Sequence, residues 1–222
     1  MPKNNNHNPF IIIEALDAGG SQTQTDLLVK RLKKEKYNVL SLHFPQEDRD
    51  SGRLIYDKFL LHHNGVPFSK KEQALIYIQD FYSRNEDISS VLNQKRGKHA
   101  VISDRYYTST FAYQTAGLTG EAYKKMYGWL QWLCFEDTPA LHKPDAIVFL
   151  DTPVEVSLRR LEGKNKDYHE NKEKLTKFRN SYLRVAEQQK WHVINSMDDR
   201  GNERTRPDLH REIWGLLEQN VL

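Results

Sequence analysis

With 222 residues, of which 11% are aromatic and 28% charged, the chain has the size and make-up of one globular α/β domain with a sizeable core. A formal charge of +3, carried by basic residues that are scattered or paired with acids, suits a ligand bearing phosphates and argues against a nucleic-acid binder, which would need a concentrated basic stripe. The lone cysteine, Cys134, excludes an internal disulfide and a cysteine-based metal site; no apolar run approaches the roughly 20 residues of a membrane span, and a cytoplasmic location is expected.

Met1–Pro9 is polar and Asn-rich, unlike a signal peptide, and reads as a disordered tail before a domain over 10–222. Phe10–Leu16 (FIIIEAL) predicts a fully buried strand, followed by an amphipathic helix over Gln22–Lys36. A strand over Asn38–Phe44 precedes one long helix over Lys70–Gln94, and a third strand covers His99–Asp104. A helix over Gly120–Phe135 leads to a strand over Asp145–Asp151 and helices over Pro153–Leu161 and Lys172–Gln189. The last strand, Trp191–Ser196, and a helix over Pro207–Leu217 complete the series. Strands separated by helices, with no Asn-Gly hairpins between them, imply crossover connections. The expected fold is a five-stranded parallel sheet with helices on both faces, its function located just after the strand ends.

After the first strand comes Glu14-Ala15-Leu16-Asp17-Ala18-Gly19-Gly20-Ser21-Gln22-Thr23-Gln24, then a helix. A strand, a turn of small residues and a helix form the setting of a phosphate loop, whose backbone N–H groups point at phosphate oxygens. The usual pattern, G-x-x-x-x-G-K-[ST], is incomplete: Ala15 stands at its first glycine, Ser21 at its lysine and Gln22 at its hydroxyl. Taken alone, the turn could equally be an ordinary strand-to-helix connection.

The third strand ends in Asp104-Arg105-Tyr106-Tyr107-Thr108-Ser109-Thr110-Phe111-Ala112-Tyr113-Gln114. Arg105 offers a planar fork that can grip a phosphate with two charge-assisted bonds, and Asp104 can hold Mg²⁺ directly or through water. Tyr106, Tyr113 and Phe111 are also candidates for the core.

These two stretches resemble the thymidylate kinase family, whose loop runs like F-I-x-x-E-G-x-D-G-x-G-K-S-T-Q and whose third strand ends D-R-[YFH]-x-x-S-x-x-A-Y. Phe10, Ile11, Glu14, Asp17, Gly20, Thr23 and Gln24 match the first pattern without a gap. The resemblance implies a P-loop kinase fold that moves the γ-phosphoryl of ATP, with Mg²⁺, to dTMP. It implies that Asp17 binds the sugar 3′-hydroxyl, that Arg105 holds the acceptor phosphate, and that Asp104 is the metal ligand. Ala18, Gly19, Gly20, Ser21, Gln22, Thr23 and Gln24 would cradle ATP. Ser109, Thr110, Tyr113 and Gln114 would lie against dTMP, as would Phe44 and Pro45, which resemble the family's F-P turn.

In the family a helix reading F-x-x-[DN]-R stacks its aromatic on thymine and bonds the base's carbonyl edge through its Arg. Here Tyr77 and Asp80 fit that pattern with Phe81 in the Arg slot and Arg84 one turn further on; the other register gives Arg84 the Arg slot and Asp80 the aromatic one. The first keeps Ile88 and Leu92 on the core face. Lys143-Pro144-Asp145 to Arg160 resembles the family's K-P-D-x-x-x-x-L-D-x-x-x-E-x-x-x-x-R stretch, which implies that Arg160 stacks on the donor adenine. The charged segment from about 162 to 172 is then the lid, whose Asp167-Tyr168-His169-Glu170 resembles D-R-[FY]-E with Tyr168 for the Arg, leaving Lys164 and Lys166 as its cations. The bland reading of both lysines is a solvated loop. The apolar face of Tyr127–Phe135, with Trp129 and Trp132, is either core or a homodimer interface. Three other readings stay open: a nucleotide-binding protein of this fold that lost its chemistry with the lysine, a kinase for another deoxynucleotide or a deoxynucleoside, and a nucleic-acid binder, which the scattered charge supports little.

Overall fold

The computed structural model describes residues 7–60, 68–136, 140–162 and 171–222. Five parallel strands, β1 (Phe10–Ala15), β2 (Tyr37–His43), β3 (Lys98–Asp104), β4 (Ala146–Asp151) and β5 (His192–Asn195), lie in the order β2-β3-β1-β4-β5. All five predicted strands are present, each within one residue of its expected ends. The helices are α1 (Ser21–Lys34), α2 (Asp50–Ile55), α3 (Lys70–Tyr82), α4 (Asn85–Leu92), α5 (Tyr107–Thr115), α6 (Gly120–Gln131), α7 (Val154–Leu161), α8 (Lys172–Gln189) and α9 (Arg206–Asn220). A five-residue π-helical turn follows α2 (Tyr56–Leu60) and another follows α6 (Trp132–Glu136). No described helix is long and apolar enough to cross a membrane.

Strand periodicity divides the core. Phe10 and Ile12 of β1 face a layer built from α3, α4, α5, α6 and α8, while Ile11, Ile13 and Ala15 face α1 and α9. All five are fully buried, so the larger side chains among them each contribute about 1.5–3 kcal/mol of burial free energy. Glu14 shares the face of Phe10 and Ile12, which delivers a carboxylate into the larger half of the core. Because β1 lies between β3 and β4, its carboxyl end is the switch point of the sheet, and a crevice opens there.

Two expectations need correction. The stretch Lys70–Gln94 is two helices. The Ser83 hydroxyl donates to the Asp80 carbonyl at 2.6 Å, and Arg84 leaves helical geometry (φ −112°, ψ 2°) before α4 begins. Asn8 and Pro9, expected in the tail, are tied to the fold. Asn8 is buried, donating its side-chain amide to the carbonyls of Val91, Leu92 and Gln94, and Pro9 accepts from the Val101 N–H. The segment around Trp132 is mixed: Leu130 and Cys134 are core, while Trp132 is 53% exposed.

Candidate active site

The turn after β1 reverses through Gly20, whose φ of +106° is left-handed backbone that a glycine adopts without strain. The first intrahelical bond of α1 runs from the Gln24 N–H to the Gly20 carbonyl at 3.1 Å. The N–H groups of Ser21, Gln22 and Thr23 precede it and point out of the helix start, where the macrodipole favours an anion. Thr152, just past β4, donates to the Gly19 carbonyl at 3.1 Å and fixes the turn to the sheet. Residues Asp17–Gln24 line an open cavity of about 760 Å³ together with Arg160, Asp104 and Arg105.

Arg160 lies across this loop, donating Nη1 to the Ala18 carbonyl at 3.0 Å and Nη2 to Glu203 at 2.6 Å. Arg159 also pairs with Glu203, so the loop after β5 is clamped to α7. Gln24 lines the cavity, yet its amide is committed to holding the Arg206 carbonyl at 3.0 Å, which ties α1 to the start of α9 rather than to a nucleotide. Lys164 and Lys166 lie outside the described residues, as does the Asp167–Glu170 motif.

Asp104 ends β3 almost fully buried. Its Oδ2 accepts from His43 Nδ1 at 2.9 Å, while its Oδ1 has no protein partner and the residue faces the loop cavity. A buried carboxylate oxygen with no donor is a fit for a hard divalent cation. Mg²⁺ commonly takes one or two protein carboxylates and completes its shell with water and phosphate oxygens, so one aspartate suffices. No cluster of three or more His, Cys, Asp or Glu occurs among the described residues.

Arg105 follows with a φ of +65°, a conformation costly to a side-chain-bearing residue and held here by the Ser103 hydroxyl on its carbonyl at 2.6 Å. Its Nη2 donates to Asp17 Oδ1 at 2.6 Å, and Nη1 meets the hydroxyls of Tyr113 and Tyr182 at 3.4 and 3.3 Å. Burial works against the guanidinium charge, but Tyr113, Asp17, Tyr182 and Glu14 outweigh it and raise its pKa well above the ordinary value. The group is a permanent cation.

On the far side of the Asp17–Arg105 pair lies a second cavity of about 260 Å³, lined by aromatic rings and polar side chains together. Phe44, Pro45, Tyr77, Ser109, Thr110, Tyr113 and Gln114 all line it, as the sequence reading expects. Phe81 joins Tyr77 on the wall, the arrangement that the register with Phe81 in the arginine slot expects. Arg84 does not line it. Its guanidinium is committed to Gln46 Oε1 at 2.8 Å, Asp48 at 2.6 Å and Asp87 at 3.1 Å, so the expectation that it reaches the base is corrected.

Several site residues escape sequence reasoning. Glu14, fully buried, accepts from the Tyr106 N–H at 3.3 Å, from the Thr108 hydroxyl, from Ser109 Oγ at 2.7 Å and from the Tyr182 hydroxyl at 3.1 Å. It pins the first turn of α5 to β1. Burial pushes its carboxyl up, opposed by the Arg105 charge and those hydroxyls. The available signals were a lone acid in a strand of buried aliphatics and its match to the glutamate of the family's loop pattern. Lys70, Gln73 and Phe178 also line the second cavity, from helices whose local sequence advertises only amphipathicity.

A family profile described as thymidylate kinase matches residues 13–203. The chain belongs to the thymidylate kinase family. A probable thymidylate kinase of Thermococcus gammatolerans is 33% identical over 224 aligned positions, covering 96% of this chain and 97% of the relative. The thymidylate kinase of Plasmodium falciparum is 27% identical, covering 92% of this chain and 87% of its own. Among solved structures, a thymidylate kinase from Candida albicans superposes with a TM-score of 0.73 at 22% identity (96% of this chain, 92% of that one). One from Ehrlichia chaffeensis gives 0.64 at 22% identity (96% and 99%). The thymidylate kinase fold is therefore common to this chain and both structures.

Proposed function

We propose that the chain carries out the family's phosphotransfer, moving the γ-phosphoryl of ATP to dTMP to give dTDP, with the aromatic cavity as acceptor site and the glycine-turn cavity as donor site. The observation that carries this reading is that Asp17 and Arg105 line both cavities, so the acceptor phosphate and the donor triphosphate meet at one charged wall. Phosphoryl transfer demands positioning and charge neutralisation more than covalent chemistry. Arg105 swings from Asp17 to the acceptor phosphate, whose two oxygens match its fork. Asp17, so released, accepts from the sugar 3′-hydroxyl. Tyr113 stands over the same carboxylate, where it leaves little room for a second hydroxyl on the ring. The N–H groups of Ser21, Gln22 and Thr23 hold the donor phosphates, and Arg160 covers the turn beside them.

Mg²⁺ would be held by Asp104 Oδ1 and would neutralise phosphate charge between the two sites. Ser21 supplies no cation where the family pattern has lysine; Lys164 and Lys166 follow α7 in the sequence and are assigned that charge. A single buried cysteine and the lack of an apolar spanning helix among the described residues accord with work in the cytoplasm.

The test is a steady-state assay with dTMP, ATP and Mg²⁺. Formation of dTDP is expected, with Lys164→Ala/Lys166→Ala depressing kcat far more than ATP affinity. A wild type that binds dTMP in calorimetry yet forms no dTDP at any ATP concentration overturns the catalytic reading.

A further inference from the structure

We propose that Lys70 reads the C4 carbonyl of the acceptor base and so makes the site prefer a 4-keto pyrimidine over a 4-amino one. The proposal deepens the acceptor-site reading and rests on it.

Lys70 is the first residue of α3, set there by a capping box in which Ser69 accepts from the Glu72 N–H and Glu72 accepts from the Ser69 N–H. At helical spacing it shares a face with Gln73, Tyr77 and Phe81, and all four line the acceptor cavity. Its ammonium donates to the Gln114 carbonyl at 3.0 Å and to the Ala116 carbonyl at 2.7 Å. An ammonium carries three N–H donors and no acceptor, so one donor is left for a group inside the cavity.

The position along α5 decides which group. Arg105 stands just before that helix and the two carbonyls held by Lys70 stand at its end, roughly 13 Å away along a nine-residue helix. A monophosphate gripped by Arg105 therefore extends its base toward Lys70. The edge of a pyrimidine most distant from its sugar carries the C4 substituent. Thymine presents an oxygen there, which accepts; cytosine presents an amino group, which only donates and meets a cation that also only donates. Burial lowers the Lys70 pKa and places its N–H in surroundings where an unpaired partner is costly, which sharpens the discrimination. The slot in which the family carries its base-reading arginine holds Phe81, and Arg84 is tied to Asp48 and Asp87. The donor comes instead from the opposite end of the same helix.

A purely structural role is the competing account, since a lysine at a helix C-terminus complements its dipole and free carbonyls. Selectivity separates the two. Wild type, Lys70→Met and Lys70→Arg are assayed with dTMP, dCMP and the pyrimidin-2-one analogue of dTMP that lacks O4. Lys70→Met should lower kcat/KM for dTMP by about tenfold to a hundredfold and that for dCMP by less than about threefold, with Lys70→Arg keeping most of the preference. Deleting O4 also removes the N3 proton, so the two proteins are compared: the loss should be greater for the wild type than for Lys70→Met by about the factor that Lys70→Met costs with dTMP. Equal losses for dTMP and dCMP in Lys70→Met overturn the proposal. So does a wild type indifferent to the loss of O4, a result that needs no variant to fold. Should the wild type turn over no dTMP, the catalytic reading fails, and equilibrium binding of the same ligands still tests Lys70.

Discussion

The acceptor and donor cavities share a wall but are built from different materials. The acceptor cavity is the smaller, about 260 Å³ against 760 Å³, and its walls combine aromatic rings with polar and charged side chains. The donor cavity adds backbone to its side chains: three N–H groups at a helix start and a turn pinned by Thr152. Recognition built from side chains is exposed to substitution, while recognition built from amides tolerates it. That contrast accounts for a loop that has exchanged lysine for Ser21 yet kept its cradle, beside an acceptor site whose motif is nearly whole.

The contrast can be broken most forcefully at Arg105. Arg105→Ala should cost about 3 kcal/mol of transition-state stabilisation, a hundredfold or more in kcat/KM for dTMP, with circular dichroism unchanged. Near-normal kcat/KM would mean that the acceptor phosphate is held elsewhere. Next in size is Glu14. Glu14→Ala strands the Thr108, Ser109 and Tyr182 hydroxyls and should lower stability in urea by about 2 kcal/mol. Because burial raises its folded pKa, the folded chain keeps this proton after the unfolded chain has lost it at about 4.5. Its contribution is therefore greatest below that pH and declines as pH rises through the folded value. Glu14→Gln removes the titration, so the variant's stability should fall less steeply with pH; parallel curves would refute the linkage.

On the donor side the expected effect is smaller. Arg160→Ala should raise the KM for ATP about threefold to tenfold and leave that for dTMP unmoved, since its ion pair with Glu203 is partly exposed. A matching rise in both constants would show that the cavities are not separable at that residue. The smallest effect is expected at Arg84. Arg84→Ala should shift the melting temperature through the loss of Asp48 and Asp87 contacts while leaving the dTMP:dCMP preference within about twofold. A larger change in preference would return Arg84 to the base.

The sheet was legible because each strand is a short β-branched run bounded by polar residues, and the phosphate turn because a strand and a helix frame it. The acceptor residues Arg105 to Gln114 were legible as one contiguous motif. What stayed hidden is built across the sequence. Glu14 gathers donors from α5 and α8, and Lys70 reaches the far end of α5, separations of up to 168 residues that no local pattern encodes. The break between α3 and α4 hinges on one serine hydroxyl and on Gln46 and Asp48, the partners of Arg84 that come from the loop after β2. Its apolar spacing continues through the break, so periodicity alone reads one helix.

The Asp17–Arg105 pair has a consequence for how the two substrates bind. It belongs to both cavities and is closed on itself at 2.6 Å, so dTMP must open it on binding, and the freed side chains then stand on the wall that the donor cavity shares. Each ligand thereby alters the other's equilibrium affinity, and thermodynamic linkage requires the two factors to be equal. A dissociation constant for dTMP measured with ADP present should differ from that of the bare protein by the same ratio as the reverse experiment gives.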